Sequence, residues 1–408
     1  MASRPKVLLI VTLDTKEVEG SFIRRELEAA GVDVVLLDPS IRRDMGKAEI
    51  GPEDIAAAAG TDMASVRALN HEGKCQAVMI EGTIKCAHRL HDEQGLAGII
   101  AIGGSMGTAL ATAVMRGFPY GLPKVMISTM ASGLTSPYVG TRDIIMMNAV
   151  CDISGLNTIT REVYRNGALA VAGMAHGYRP QQAEGKPLVL ISTLGTTETC
   201  TRRVRHALED RGYEVMVFHT TGAGGQTLDQ IVRERPVAAV LDLSLVEIID
   251  LLNGGLCSAG PDRAKAAMEK GVPTIFAPGN ADFIVGPPIE AARAQFPGKR
   301  YHIHNAALTA VRTEREELCA LADHMAGLIG QARGPVSFFV PLHGFSSHDS
   351  PEGHLYDRSL PPVFADHVQQ VMPQGTDVRL FDAHINDAAF ADAVIERVLE
   401  LTRTSAAA

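Results

Sequence analysis

No CxxC pair occurs in this chain. Its six cysteines, at positions 75, 86, 151, 200, 257 and 319, are scattered. That removes a zinc-ribbon site and a disulfide framework, and leaves reduced thiols in a cytoplasmic protein as the expectation. No stretch approaches the ~20 consecutive apolar residues of a spanning helix. The apolar run in "MASRPKVLLIVTLDTKE" is also too short for a signal-peptide core. Dense Lys/Arg blocks are missing, and the formal charge is −9, which argues against broad nucleic-acid binding. Neither a Walker A sequence, nor GxGxxG, nor HExxH is present.

What is present is a repeat. "VLLIVTLDTKEVEGSFIRRELEAAGVDVVLLD" from Val7 aligns without a gap onto "LVLISTLGTTETCTRRVRHALEDRGYEVMVFH" from Leu188, at a constant offset of 181. Each copy reads as a buried strand, a polar turn, an amphipathic helix ending at glycine (Gly31, Gly212) and a second strand. This is a βαβ opening with parallel strands. With 408 residues, more than one core is expected. The fold expected is α/β, two Rossmann-like domains with mainly parallel sheets related by the repeat. Their bounds are 1–180 and 187–408, with a linker at 176–187 in "HGYRPQQAEGKP".

Further strand-like runs lie at 76–82, 98–104, 123–129 and 168–174 in the first half. In the second half they lie at 237–243, 273–279, 336–342 and 378–384. In parallel α/β sheets ligands bind beyond the carboxyl ends of strands, so the residues after each run are the ones that bear chemistry. In the first half these are Thr12, Asp14 and Thr15; Glu81 and Thr83; Gly103, Gly104, Ser105, Gly107 and Thr108; and Ser128, Thr129, Ser132 and Gly133.

The stretch "IAIGGSMGTALATAVMRG" (100–117) breaks an apolar run with glycines and resumes as a helix. Glycines let backbone N–H groups approach an anion at a helix N-terminus. The same turn can need glycine for geometry alone. The donor-rich loop after the next strand favours a phosphorylated ligand, with Lys16, Lys85 or Arg89 to neutralise it. If a nucleotide is bound, magnesium is expected with it, held by one or two carboxylates; Asp14 and Glu81 are the candidates, each equally able to cap its helix.

The second half is richer in titratable groups. "FHTTGAGG" offers another anion-competent helix start at Gly224 and Gly225. His219 and Asp242, read as the ends of adjacent strands, are the first pair for proton transfer; the competing reading has Asp242 capping a helix. Arg312 suits a carboxylate or phosphate clamp, or a pair with Glu316 one turn on. Asn280, His343 and His384 are further candidates for binding a substrate. His302 and His304 would face opposite ways on a strand, and His348 and His354 sit in a loop expected to be exposed. No protein-ligated metal is assigned.

"TLDTKE", "IGGSMGT", "PKVMISTMASG", "YVGTRD", "FHTTGAGG", "LDLSLVE", "HNAALTAVRT" and "AHIND" together resemble one family. It is the bacterial and plant family that includes the ATP-binding N-terminal inhibitor domain of the tomato tobamovirus-resistance protein. The resemblance runs from about Val7 to about Phe390. It implies Rossmann-like halves with ATP on the first, at Gly103, Gly104, Ser105, Gly107 and Thr108 and at Ser128, Thr129, Ser132 and Gly133. Met106 departs from the all-small loop of the plant members. The plant protein's separate barrel, which resembles phosphoenolpyruvate-handling enzymes, hints at a small phosphorylated or carboxylated substrate. The expectation is an ATP-binding metabolic enzyme acting in an interdomain cleft, and a homo-oligomer. The alternative is a non-catalytic, nucleotide-responsive regulatory protein.

Overall fold

The computed structural model describes residues 4–180 and 185–406. The chain divides into two compact units, residues 1–182 and 183–408. Of the expected linker at 176–187, residues 181–184 lie outside the described residues. His176 and Gly177 belong to the end of the helix Thr158–Gly177.

In the first unit five parallel strands form one sheet: β1 (Lys6–Ile10), β2 (Asp33–Leu37), β3 (Leu96–Gly103), β4 (Lys124–Ser128) and β5 (Ile145–Asn148). Their order is β2-β1-β3-β4-β5. Strand β1 shows why the sheet is covered twice. Val7, Leu9 and Val11 pack with the helices Leu13–Ala29 and Thr158–Gly177. Leu8 and Ile10 pack with the helices Glu72–Gln94 and Ser105–Arg116. An unbroken apolar strand has two faces to bury, and helices on both sides satisfy them.

The second unit has β6 (Leu188–Thr193), β7 (Glu214–His219), β8 (Ala239–Asp242), β9 (Thr274–Phe276), β10 (Phe283–Gly286), β11 (Tyr301–Ile303), β12 (Thr309–Arg312), β13 (Val336–Pro341) and β14 (Asp377–Phe381). Six of them form a parallel sheet in the order β14-β13-β9-β8-β6-β7, and β10-β12-β11 form a separate antiparallel sheet. Phe390, Val394, Val398 and Leu401 of the C-terminal helix pack on the larger sheet.

Both sheets start in one way. The chain lays its second strand on one side of the first, then crosses to place the third on the other side. The repeat keeps even its turn: Gly31 and Gly212 end their helices at φ of 82° and 85°, a conformation that favours glycine.

Two expected strands are helix. Residues 76–82 lie inside Glu72–Gln94, and residues 168–174 lie inside Thr158–Gly177. In the first, Cys75, Met79, Gly82, Cys86 and Leu90 make one buried face at helical spacing, and a Cβ on Gly82 would stand 2.0 Å from the Ile55 carbonyl oxygen. Glu81 and Thr83 are therefore not strand-end residues. No helix among the described residues is long and apolar enough to cross a membrane, and all six cysteines are unpaired.

Candidate functional site

Crossing over β1 opens a crevice between the carboxyl ends of β1 and β3, the switch point at which doubly wound sheets bind ligands. A cavity of about 290 Å³ lies there. Thr12, Asp14 and Thr15 line it from the end of β1, and Gly103, Gly104, Ser105 and Gly107 from the end of β3. The segment after β2 closes it with Pro39, Ile41 and Arg42, and the start of the helix Glu72–Gln94 adds Glu72 and Gln76. The Gln76 amide donates to the Met106 carbonyl at 2.8 Å, tying that helix to the glycine turn.

The three glycines of the turn have different reasons. A Cβ on Gly103 would come within 2.8 Å of Gly107 Cα, so close backbone packing forbids it. A Cβ on Gly104 would meet only Thr129 Oγ1 at 3.9 Å, and one on Gly107 only the Ile102 carbonyl oxygen at 3.6 Å, both ordinary contacts. Neither residue has the left-handed backbone that calls for glycine. Packing and conformation thus leave Gly104 and Gly107 unexplained, and both line the cavity.

Gly104 is also the N-cap of the helix Ser105–Arg116, and no side chain among the described residues caps it. The first N–H groups of a helix have no partner within it and carry partial positive charge. The neighbouring helix Leu13–Ala29 differs. Its Leu13 N–H donates to buried Asp38 Oδ1 at 2.9 Å, and its Asp14 N–H to Ser40 Oγ at 3.0 Å. Ser40 in turn donates to Asp38 from both its backbone and its hydroxyl. One helix start at this crevice is filled by the chain's own carboxylate, and the glycine-rich one is not.

Charge at the cavity comes from a residue the motifs did not single out. Arg42 is exposed, lines the cavity, and its guanidinium forms no ion pair among the described residues. Lys16 lines the cavity too, but its ammonium donates to the Ile153 carbonyl. Lys85 pairs with Glu81 at 2.6 Å, and Arg89 reaches the Cys86 thiol. Of the acids suggested for magnesium, Glu81 is thus committed elsewhere, while Asp14 and also Glu72 face the cavity.

The remaining candidates on this unit sit beside or beneath the cavity. Thr108 is fully buried and shares a 2.6 Å hydrogen bond with Ser128 Oγ, so it braces β3 against β4. Thr129 and Ser132 line an adjacent hollow with Asn148 and Asp152. Gly133 is exposed and lines neither.

In the second unit the structure separates what the sequence had joined. His219 ends β7 and Asp242 ends β8, but β6 lies between them. Asp242 is buried in a fork with Arg263, at 2.7 and 2.8 Å, and accepts from Ser192 Oγ at 2.6 Å. Arg263 Nε donates to Glu247 Oε2 at 2.7 Å. Glu247 Oε1 in turn accepts the N–H groups of Gly222 and Gly225 at 2.7 and 2.9 Å. The anion-competent helix start therefore already holds an anion, Glu247. Gly225 is glycine because a Cβ would stand 1.9 Å from Glu247 Oε2, and Gly224 because one would stand 1.8 Å from the His219 carbonyl oxygen. Burial pushes the Glu247 carboxyl above its usual range, against the pull of Arg263.

Arg312 does not pair with Glu316. It is 1% exposed, donates to the Asp282 carbonyl at 2.9 Å and pairs with Asp349 at 3.1 Å. Burial, and then the neighbouring Asp282, push Asp349 up to about 7. Asn280 is buried, with Thr197 and Ser244 hydroxyls donating to its carbonyl and its amide donating to Thr196. His343 pairs with Asp382 on the surface at 2.8 Å, and His384 Nε2 lies 3.0 Å from the Ser346 carbonyl. Among the described residues no group of three or more His, Cys, Asp or Glu side chains is placed to hold a metal ion.

Known proteins resemble the chain along its whole length. Residues 5–180 match the N-terminal domain of the uncharacterised protein family UPF0261, and residues 186–402 match its C-terminal domain. A UPF0261 protein of Clostridium tetani is 34% identical over 405 residues, covering 97% of this chain and 98% of that protein. One of Mesorhizobium japonicum is 33% identical, covering 95% and 97%. The ToMV resistance protein Tm-1(GCR237) of Solanum lycopersicum is 31% identical over 432 residues, with 99% of this chain aligned to 57% of the tomato protein. Two domain matches in order and full-length relatives above 30% identity place the chain in the UPF0261 family.

Proposed function

We propose that the first-unit cavity binds a phosphate-bearing ligand of the nucleotide class, ATP being the expected occupant. The observation that carries this reading is the pair Gly104 and Gly107, bare of side chains where neither packing nor backbone conformation requires it. They stand at an uncapped helix start, at the switch point of the sheet. Phosphate oxygens would take the N–H groups of Ser105, Met106 and Gly107, with Arg42 as the cation. Pro39, Ile41 and Leu110 supply an apolar wall for the rest of the ligand. Asp14 and Glu72 are the residues that would hold a magnesium ion brought with the phosphates, where it would neutralise their charge.

Between catalysis and nucleotide-responsive binding, the placement of Asp242 and Arg312 favours binding. Asp242 is buried and held by Arg263 and the Ser192 hydroxyl, so it is not free to move a proton, and Arg312 is buried against Asp349 and the Asp282 carbonyl.

The test is calorimetric titration of the purified protein with ATP, with and without magnesium, beside Gly104→Val. The added Cβ meets only Thr129 Oγ1, at 3.9 Å, and a thermal melt of the variant checks that it is folded. Micromolar binding, weakened at least about tenfold in the variant, is the expected result. No binding by the wild type, or equal binding by both, overturns the proposal.

A further inference from the structure

The second unit holds a cavity of a different chemistry. It opens where β6 and β7 end, beside Thr196 and His219, and its far wall is the small antiparallel sheet, with Phe283 and Val285 from β10 and Thr309 and Ala310 from β12. Its volume is about 290 Å³, at the small end of ligand pockets. None of its lining residues is Asp, Glu, Lys or Arg. Most are apolar, and the polar ones are hydroxyls and the imidazoles of His219, His304 and His348.

Two of the hydroxyls are unspent as donors. Thr309 is fully buried, and its Oγ1 has no hydrogen-bond partner among the described residues. A buried hydroxyl left so is costly unless something else accepts from it. Thr196 Oγ1 accepts from the Asn280 amide at 2.5 Å, which leaves its own hydrogen to give. No lining carboxylate stands ready to receive a ligand N–H.

The surroundings also disfavour a charged guest. His348 packs edge-on against Phe283 at 5.7 Å and tilted against His302 at 4.6 Å, and His302 stacks on His354 at 4.4 Å. Burial, then these neighbouring imidazoles, bring His348 down to about 4, so it is neutral near pH 7. Behind the wall, Asp250 accepts the N–H groups of Cys257 and Val285, and burial raises it to about 7. Burial also raises the Cys257 thiol to about 12, so it is no nucleophile.

We propose that this cavity is a binding site for a small uncharged carbonyl compound with an apolar body, its oxygen accepting from the Thr309 and Thr196 hydroxyls. An ion brought into this wall would lose its hydration without a partner of opposite charge. This site needs nothing from the phosphate reading of the first unit.

Three probes of one shape and different charge test it: acetophenone, benzoate and benzylammonium. Binding is followed by saturation transfer and by the imidazole carbon-bound proton resonances of the full-length protein. Acetophenone is expected to bind and to shift His304 and His348, with benzoate and benzylammonium at least about tenfold weaker. Thr309→Val, which keeps the shape and removes the orphan hydroxyl, should weaken acetophenone about fivefold while the melting temperature stays or rises. A merely structural hydroxyl would leave acetophenone binding unchanged in that variant. Equal binding of the three probes, preference for a charged one, or no acetophenone binding at millimolar concentration overturns the proposal.

Discussion

Replacing Arg263 by methionine removes one cation from the middle of three buried acids. The guanidinium makes three short charge-assisted hydrogen bonds, two to Asp242 and one to Glu247, and it also attracts Asp229. All of these side chains are buried, so water does not screen the pairs. Methionine is long enough to fill much of the space, so the loss is chiefly electrostatic. Asp242 would keep only the Ser192 hydroxyl, and Glu247 only the two glycine N–H groups. Breaking a buried ion pair from one side costs about 3–5 kcal/mol, a large part of the ~5–15 kcal/mol that holds a domain folded. At a urea slope of about 2 kcal/mol per molar, the midpoint should drop by about 2 M. The sign with pH follows from the acids. Stranded without their cation they keep protons in the folded state that the unfolded chain releases above about pH 4, so the deficit grows as pH rises from 4 and shrinks again in acid. Urea melts of Arg263→Met and wild type at pH 5 and pH 8 read both effects. A loss under about 1 kcal/mol, or a deficit that is larger at pH 5, would refute a dry, charge-bound cluster.

Other outcomes follow from the same geometry. Arg42→Ala should weaken ATP about 10- to 100-fold with an unchanged melting temperature, because it deletes a charge-assisted contact at an exposed residue; calorimetry checks this. Gly225→Ala, which sets a Cβ 1.9 Å from Glu247 Oε2, should lower thermal stability sharply, whereas Gly133→Ala, with nothing within 4 Å, should leave it unchanged. Asp250 stays protonated to about pH 7 in the fold and releases its proton near 4 when unfolded, so it costs the wild type stability as pH rises through that window. The stability advantage of wild type over Asp250→Asn should therefore shrink between pH 4 and pH 7, and an advantage that widens would count against the burial of that carboxyl.

Much of the fold was legible because it repeats. The 181-residue offset located β1, β2, β6 and β7 with the turns between them, and apolar runs located β3, β4, β8, β9, β13 and β14. Residues 76–82 and 168–174 misled because a short apolar run has no period of its own, and only the longer face through Cys75, Met79, Cys86 and Leu90 marks a helix. The antiparallel sheet β10-β12-β11 gave no such signal: its strands Tyr301–Ile303 and Thr309–Arg312 mix His302, Thr309 and Arg312 with apolar residues, so no apolar run marks them. At the cavity, the glycine turn announces itself, but Arg42 and Glu72 arrive through the path of the chain after β2, which no local spacing records. Asp242 and Arg312 show the opposite limit, since a charge at a strand end reads the same whether it meets a substrate or a buried partner.

Asp38 and Glu247 are resident substitutes for a solute. Asp38 seats its carboxylate on the first N–H of one helix and Glu247 on two N–H groups at the start of another, and a segment closed in this way folds with the same free energy whatever metabolites surround it. The helix at Ser105 has no such internal occupant, so any anion it takes adds directly to the stability of its unit, by about 2.7 kcal/mol at a hundredfold excess over the dissociation constant. One end of one helix would then make the lifetime of the folded first unit a gauge of ligand supply, while the self-supplied helix starts stay indifferent to it.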